Sequence, residues 1–261
     1  MRLFDRWRRR AAPLLTVTAD AGSGRVIVLL HGIASSSVTF DNLVPLLTDN
    51  NRVISLDLIG FGQTPAPADA RFTIEEHVDS LARTLDSLEL RQPFVLVGHS
   101  MGSLIATRYA ATNSRRLEKL VLVSPPVYVT PSAVGDPTDR ATLGLYLRVY
   151  EFLRGNKSFT MAAAAGLARL APIRGVLDVS ENNWGAFVLS LENLIESQTT
   201  ISDLAAVTVP IDVVYGTLDP FIAPAGLRIV EQLRGVTMHK VDAADHLVRP
   251  RLARAVAAAI G

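Results

Sequence analysis

Two periodicities alternate along this chain. Arg25-Val26-Ile27-Val28-Leu29-Leu30 is an unbroken apolar run that stops at His31-Gly32. Arg52-Val53-Ile54-Ser55-Leu56-Asp57, Phe94-Val95-Leu96-Val97 and Lys119-Leu120-Val121-Leu122-Val123 repeat the pattern. Short apolar runs without alternation are how strands buried on both faces read. Between them the apolar spacing becomes helical. Residues 40–47 form a short amphipathic stretch, and Ile74, Val78, Leu81, Leu85 and Leu88 share one side of a helix. The capping box Thr73-Ile74-Glu75-Glu76 opens that helix. A further helix is predicted over residues 103–109. This βαβαβ rhythm predicts an α/β protein with a mostly parallel, doubly wound sheet.

After Ser124-Pro125-Pro126 the rhythm breaks. Residues 127–206 contain no β-rich run ending in a turn, and the spacing predicts helices over 141–152, 159–170 and 182–196. The β/α pattern then resumes with a strand at 209–215, a helix at 224–233, a strand at 236–241 and a helix at 251–260. A helical block inside an α/β chain reads as a lid inserted between core strands. The expected division is a core domain in two parts, 1–126 and 207–261, around a lid at 127–206.

Composition narrows the function classes. With 261 residues, 49% of them hydrophobic and 20% charged, the chain suits one large domain with an insertion. A net charge of +1 gives no bulk attraction to nucleic acid. The absence of cysteine removes disulfides, thiolate nucleophiles and Cys-based metal sites together. The expectations are a cytoplasmic protein without integral membrane segment, metal or cofactor, with a homodimer admitted. The basic Met1-Arg2-Leu3-Phe4-Asp5-Arg6-Trp7-Arg8-Arg9-Arg10 is expected to be a solvated leader, too Pro-broken in its continuation to be a signal peptide.

The chemistry centres on Gly98-His99-Ser100-Met101-Gly102. A strand leads into this Gly-x-Ser-x-Gly and a helix follows, as a nucleophile elbow requires. Such a turn strains the serine backbone and lifts its hydroxyl clear of the sheet, while the glycines admit close backbone approach. In a chain with 17 glycines the motif alone is weakly specific, so Ser100 needs partners. A hydroxyl becomes nucleophilic only beside a base that a third group orients. Of five histidines, His246 alone stands in a loop just past a strand's C-terminal end, where open α/β sheets bind ligands. His77 lies in a helix and His239 in a strand; His31 reads as structural, and His99 as a packing residue pointing away from Ser100. Asp219, in Tyr215-Gly216-Thr217-Leu218-Asp219-Pro220, is the best-placed acid. An oxyanion would be met by the backbone amides of Met101 and, from the loop His31-Gly32-Ile33-Ala34-Ser35, of Ile33.

Taken together, His31-Gly32, Asp57-Leu58-Ile59-Gly60-Phe61-Gly62-Gln63-Thr64, Gly98–Gly102, Gly216–Asp219 and Asp245-His246 resemble the α/β-hydrolase superfamily over nearly the whole chain. The resemblance implies nucleophile Ser100, acid Asp219, base His246 and oxyanion amides at Ile33 and Met101. It is strongest toward lidded bacterial esterases and meta-cleavage-product C–C hydrolases. Two departures stand out: the segment before Arg25 is short, implying abbreviated first edge strands, and Leu247 follows the base where those C–C hydrolases carry an aromatic residue. The leading expectation is a serine hydrolase acting on a small to medium apolar ester. A C–C hydrolase with the same three residues is the alternative, and a non-catalytic receptor on a hydrolase scaffold a third. Tyr146, Phe152, Phe159, Trp184 and Phe187 are candidates to line the substrate pocket, or to pack the lid helices together.

Overall fold

A computed structural model of the protein describes residues 12–129 and 135–261; the basic stretch 1–10 lies outside the described residues. Seven strands build one sheet: β1 (Thr16–Ala21), β2 (Arg25–Leu30), β3 (Asn51–Asp57), β4 (Phe94–His99), β5 (Leu117–Val123), β6 (Ile211–Gly216) and β7 (Val236–Val241). Their order is β1-β3-β2-β4-β5-β6-β7. Only β1 is antiparallel to its neighbour; the other five pairings are parallel.

The apolar runs divide by the two-residue period of a strand. Val28, Leu30, Leu96, Leu120 and Leu122 face one side of the sheet, where α2 (Ile74–Ser87), α3 (Met101–Asn113) and α8 (Pro224–Glu231) cover them. Ile27, Leu29, Val95, Val97, Val121 and Val123 face the other, under Phe40, Leu43 and α9 (Pro250–Ile260). The edge strands β1 and β7 are only half-buried. That is why Thr16–Ala21, carrying a single valine, gives no strand signal in sequence.

Local chemistry corrects one expected helix and the capping of another. Residues 40–47 are a 3-10 turn, Ser37–Phe40, followed by the one-turn α1 (Val44–Leu47). Pro45 has no N–H to donate back along a longer helix, so it sits near the start of a new turn instead. Thr73 caps α2 by accepting from the Glu76 N–H (3.3 Å), but the Glu76 carboxylate turns to the Arg71 N–H (2.9 Å), so the capping box is half formed.

Between β5 and its sheet neighbour β6 the chain forms α4 (Pro137–Gly155), α5 (Lys157–Leu170), α6 (Trp184–Ser190) and α7 (Thr200–Ala206). The expected helix over 182–196 is α6 continued by a wider π-helical turn, Leu191–Glu196. Arg154 of α4 pairs with Glu196 (3.3 Å) in that turn, and Arg108 of α3 with Asp203 (2.9 Å) of α7. These contacts tie α4 to the π-helical turn and α7 to α3.

Candidate active site

At the end of β4 the chain reverses into α3 through Ser100, whose φ of 52° and ψ of −124° are strained for a residue with a Cβ. The glycines on either side explain how so sharp a turn closes. A Cβ on Gly98 would lie 2.4 Å from the Gly102 carbonyl oxygen, and one on Gly102 2.4 Å from the His31 oxygen. The Ser100 N–H is held by the Val123 carbonyl (2.9 Å), which ties the turn to β5. Ser100 is buried at 7% exposure, and its Oγ makes no hydrogen bond to a described residue.

Asp219 and His246 come from separate loops yet meet: His246 Nδ1 lies 2.8 Å from Asp219 Oδ2. The two loops are fastened together, since Leu218 N–H donates to the Ala244 carbonyl (2.9 Å) and Ala243 N–H to Thr217 Oγ1 (2.9 Å). Gly216 permits this, because a Cβ there would sit 2.1 Å from the Ala244 oxygen. Burial by itself raises the Asp219 carboxyl, but the His246 hydrogen bond and charge and the Phe221 N–H (2.9 Å) outweigh it. The net effect holds Asp219 below the usual carboxylate value. Ser124 Oγ, without a well-formed hydrogen bond of its own, adds to the lowering. An ionised Asp219 can only accept, so Nδ1 carries the imidazole proton and Nε2 bears the lone pair. Nε2 has no hydrogen-bond partner among the described residues.

Four residues around this pair had no distinguishing sequence signal. His99 does more than pack: its Nε2 donates to the His246 carbonyl (2.8 Å) and its ring lies 4.8 Å from the His246 ring. Burial, then the proximity of His246, depresses His99 to about 3, so it stays neutral. Phe221 stands edge-on to His246 with ring centroids 4.7 Å apart. Its carbonyl accepts from Tyr128 Oη (3.1 Å), which in turn meets Tyr150 Oη of α4 at 2.7 Å. Burial raises both phenols, Tyr150 to about 12, so they remain neutral donors. A chain of hydrogen bonds therefore runs from the inserted helices to the acid loop.

The loop after β2 lies directly against Ser100, since a Cβ on Gly32 would be 2.8 Å from Ser100 Cβ and 3.3 Å from its Oγ. His31 sets this loop. Its Nε2 accepts from the Leu58 N–H (2.9 Å), so Nδ1 is the protonated atom and donates to the Gly32 carbonyl (2.7 Å). In a trans peptide the following N–H points the opposite way, which turns the Ile33 amide away from the His31 ring. Neither the Ile33 nor the Met101 N–H donates to a described acceptor, and Met101 opens α3 at its positive end.

The five pocket candidates separate. Tyr146 is half-buried, stacked on Tyr128 (5.6 Å), and its phenol is raised first by burial and then by the charge of Asp219, which places it near the acid. Phe187 is buried in the core and Trp184 packs on it (5.7 Å) within α6, with Lys157 of α5 lying over the Trp184 ring (5.8 Å). Phe152 and Phe159 do not form enclosed pocket walls. They are 50% and 56% exposed and pack edge-on against each other across the α4–α5 turn. Helical spacing gave no means of telling an inward from an outward aromatic here. A cavity of about 660 Å³ opens at the opposite, N-terminal end of the strands, lined by Arg25, Arg52 and Glu118. Those charges are already paired, Arg25 with Glu118 and Arg52 with Asp20. No grouping of three or more potential metal ligands occurs among the described residues. No helix among them is long and apolar enough to cross a membrane.

Comparison with known proteins gives a consistent frame. The sequence profile of a family described as alpha/beta hydrolase fold matches residues 25–248. "Probable lysophospholipase BODYGUARD 4" of Arabidopsis thaliana is 36% identical over 110 residues, 41% of this chain and 26% of that protein. The matched region thus spans about a quarter of the length of that curated relative. The 2-hydroxymuconate semialdehyde hydrolase of Pseudomonas sp. strain CF600 is 35% identical over 116 residues, 43% of this chain and 41% of that one. Among solved structures, an esterase from Exiguobacterium antarcticum superposes with a TM-score of 0.76, covering 95% of this chain and 99% of its own, at 17% identity. At that identity the likeness is one of fold.

Proposed function

This chain belongs to the alpha/beta hydrolase fold family, and from that premise we propose that it is a serine hydrolase cleaving a carboxylic ester of a small to medium apolar substrate. The observation that carries the reading is the Asp219–His246 hydrogen bond of 2.8 Å, made between two loops and leaving Nε2 without a partner among the described residues; the strained backbone of Ser100 supports it. His246 Nε2 removes the Ser100 proton as Oγ attacks the ester carbonyl. The Ile33 and Met101 amides receive the oxyanion, and Asp219 steadies the imidazolium that forms. That imidazolium then protonates the departing alkoxide. Water, deprotonated by the same nitrogen, attacks the acyl-enzyme and frees Ser100. The inserted helices act as a cap over these atoms.

The test is labelling with a fluorophosphonate and turnover of p-nitrophenyl butyrate by wild type, Ser100→Ala and His246→Ala. Labelling confined to Ser100, with each variant folded and slowed by a factor on the order of 10³ or more, is the expected result. An unlabelled wild type, or Ser100→Ala turning over at the wild-type rate, overturns the reading. The 35% identity to the semialdehyde hydrolase supports a second reading. In it the same residues cleave a carbon–carbon bond of a vinylogous diketone, and loss of dienoate absorbance without ester turnover would select it.

A further inference from the structure

The hairpin of α4 and α5 is amphipathic, and its outer side is bare. Leu145, Val149 and Phe152 recur at i, i+4 and i+7 along α4 and are 58%, 42% and 50% exposed. On α5, Phe159, Leu167 and Leu170 recur at i, i+8 and i+11 and are 56%, 61% and 84% exposed. The Phe152–Phe159 contact, with ring centroids 5.3 Å apart, joins the two stripes at the turn. Within α5 only Thr160 and Ala164 are buried, so most of the apolar surface of this helix faces outward. A stripe of this kind marks an interaction surface.

Charge selects the occupant. The hairpin carries Arg140, Arg148, Arg154, Lys157 and Arg169 against Asp139 and Glu151, a net +3, whereas the whole chain has +1. Arg154 and Lys157 are engaged with Glu196 and Glu181, and Asp139 with Arg228. Arg148 and Arg169 have no ion pair among the described residues and flank the exposed leucines. A second copy laid face to face would set these arginines against their own kind. An anionic bilayer supplies both an apolar layer for the leucines and phenylalanines and negative charge for the arginines. The inner side of α4 holds Tyr146 and Tyr150 against Tyr128, which bonds the acid loop. A surface resting on the outer side of this helix therefore lies one helix thickness from the candidate site.

We propose that the α4–α5 hairpin is a docking surface for anionic lipid bilayers, with the leucine and phenylalanine stripes immersed at the interface and Arg148 and Arg169 on the headgroups. Docking does not depend on ester cleavage, so the two readings stand or fall separately.

The experiment is co-sedimentation of the full chain with vesicles of phosphatidylcholine alone or mixed with about one third phosphatidylglycerol, at low and high salt, alongside sedimentation velocity without lipid. The expected result is binding to the mixed vesicles only, reduced by salt. Arg148→Gln/Arg169→Gln should weaken it roughly thirtyfold, and Leu167→Ser/Leu170→Ser roughly tenfold or more. Both double variants should keep the wild-type melting temperature and p-nitrophenyl butyrate turnover. Wild type that binds neither vesicle, binds both equally, or binds as tightly after either double substitution overturns the proposal. So does a wild-type dimer that Leu167→Ser/Leu170→Ser converts to monomer, which would assign the face to a second copy.

Discussion

Replacing Gly98 by alanine tests whether the elbow geometry is set by backbone contact. The added methyl would lie 2.4 Å from the Gly102 oxygen, 2.6 Å from the Gly102 carbonyl carbon and 2.6 Å from Ser103 Cα. An unstrained contact needs about 3.5 Å, so strand and helix must part by about 1 Å. All three neighbours are backbone, and no rotamer change relieves them. Overpacking a close-packed site costs about 1–3 kcal/mol, and this one belongs at the upper end. For a protein of this size about 3 kcal/mol lowers the melting temperature by roughly 6–12 °C. The same displacement moves Ser100, and a 1 Å misplacement costs on the order of a hundredfold in rate. Thermal denaturation and p-nitrophenyl butyrate kinetics measure both effects. Gly144→Ala in α4 is the control: nothing lies within 4 Å of its added methyl. In a helix interior that change should stabilise by about 0.5–1 kcal/mol. A Gly98→Ala protein with wild-type melting temperature and kcat would refute the reasoning.

Two further outcomes follow from the buried polar groups. Burial depresses His77 and His99 to about 3, from 6.5 when exposed. The unfolded chain therefore takes up protons that the folded one refuses between those values, and stability is complete above pH 6.5 and falls as pH drops through that window. At pH 5 the loss is about 2 kcal/mol for each histidine. Urea midpoints at pH 7.5 and 5 measure it, His77→Leu should flatten the slope, and a flat wild-type profile contradicts the argument. Tyr128→Phe removes the donor to the Phe221 carbonyl and should cost about 1–2 kcal/mol of stability. It should also lower kcat several-fold with little change in KM; an unchanged kcat would show that the tyrosine chain does not position the acid loop.

The sheet was readable because its inner strands are buried on both faces and so carry continuous apolar runs. The elbow was readable because its glycines are steric necessities rather than preferences, and Asp219 and His246 because both follow β-rich runs. Edge strand β1 and the short α7 gave no signal, one being half exposed and the other only two turns long. The pairings His99–His246, Tyr128–Phe221 and Leu218–Ala244 were hidden for another reason. Each joins segments distant in sequence and depends on the side a side chain or carbonyl faces, which no periodicity encodes. The outward phenylalanines of α4 and α5 were misleading for the same cause.

β5 and β6 lie side by side although the inserted helices separate them in sequence, and their junction is closed by the Ser124 N–H on the Val214 carbonyl (2.8 Å). Because departure and return points are fixed neighbours, the insertion behaves as an exchangeable cassette. Doubling or halving its length alters the closure entropy by only about 0.6 kcal/mol. Selection can therefore rewrite the inserted helices while the strand ends bearing Ser100, Asp219 and His246 stay in register. In such a molecule new specificity can evolve at little expense to foldability.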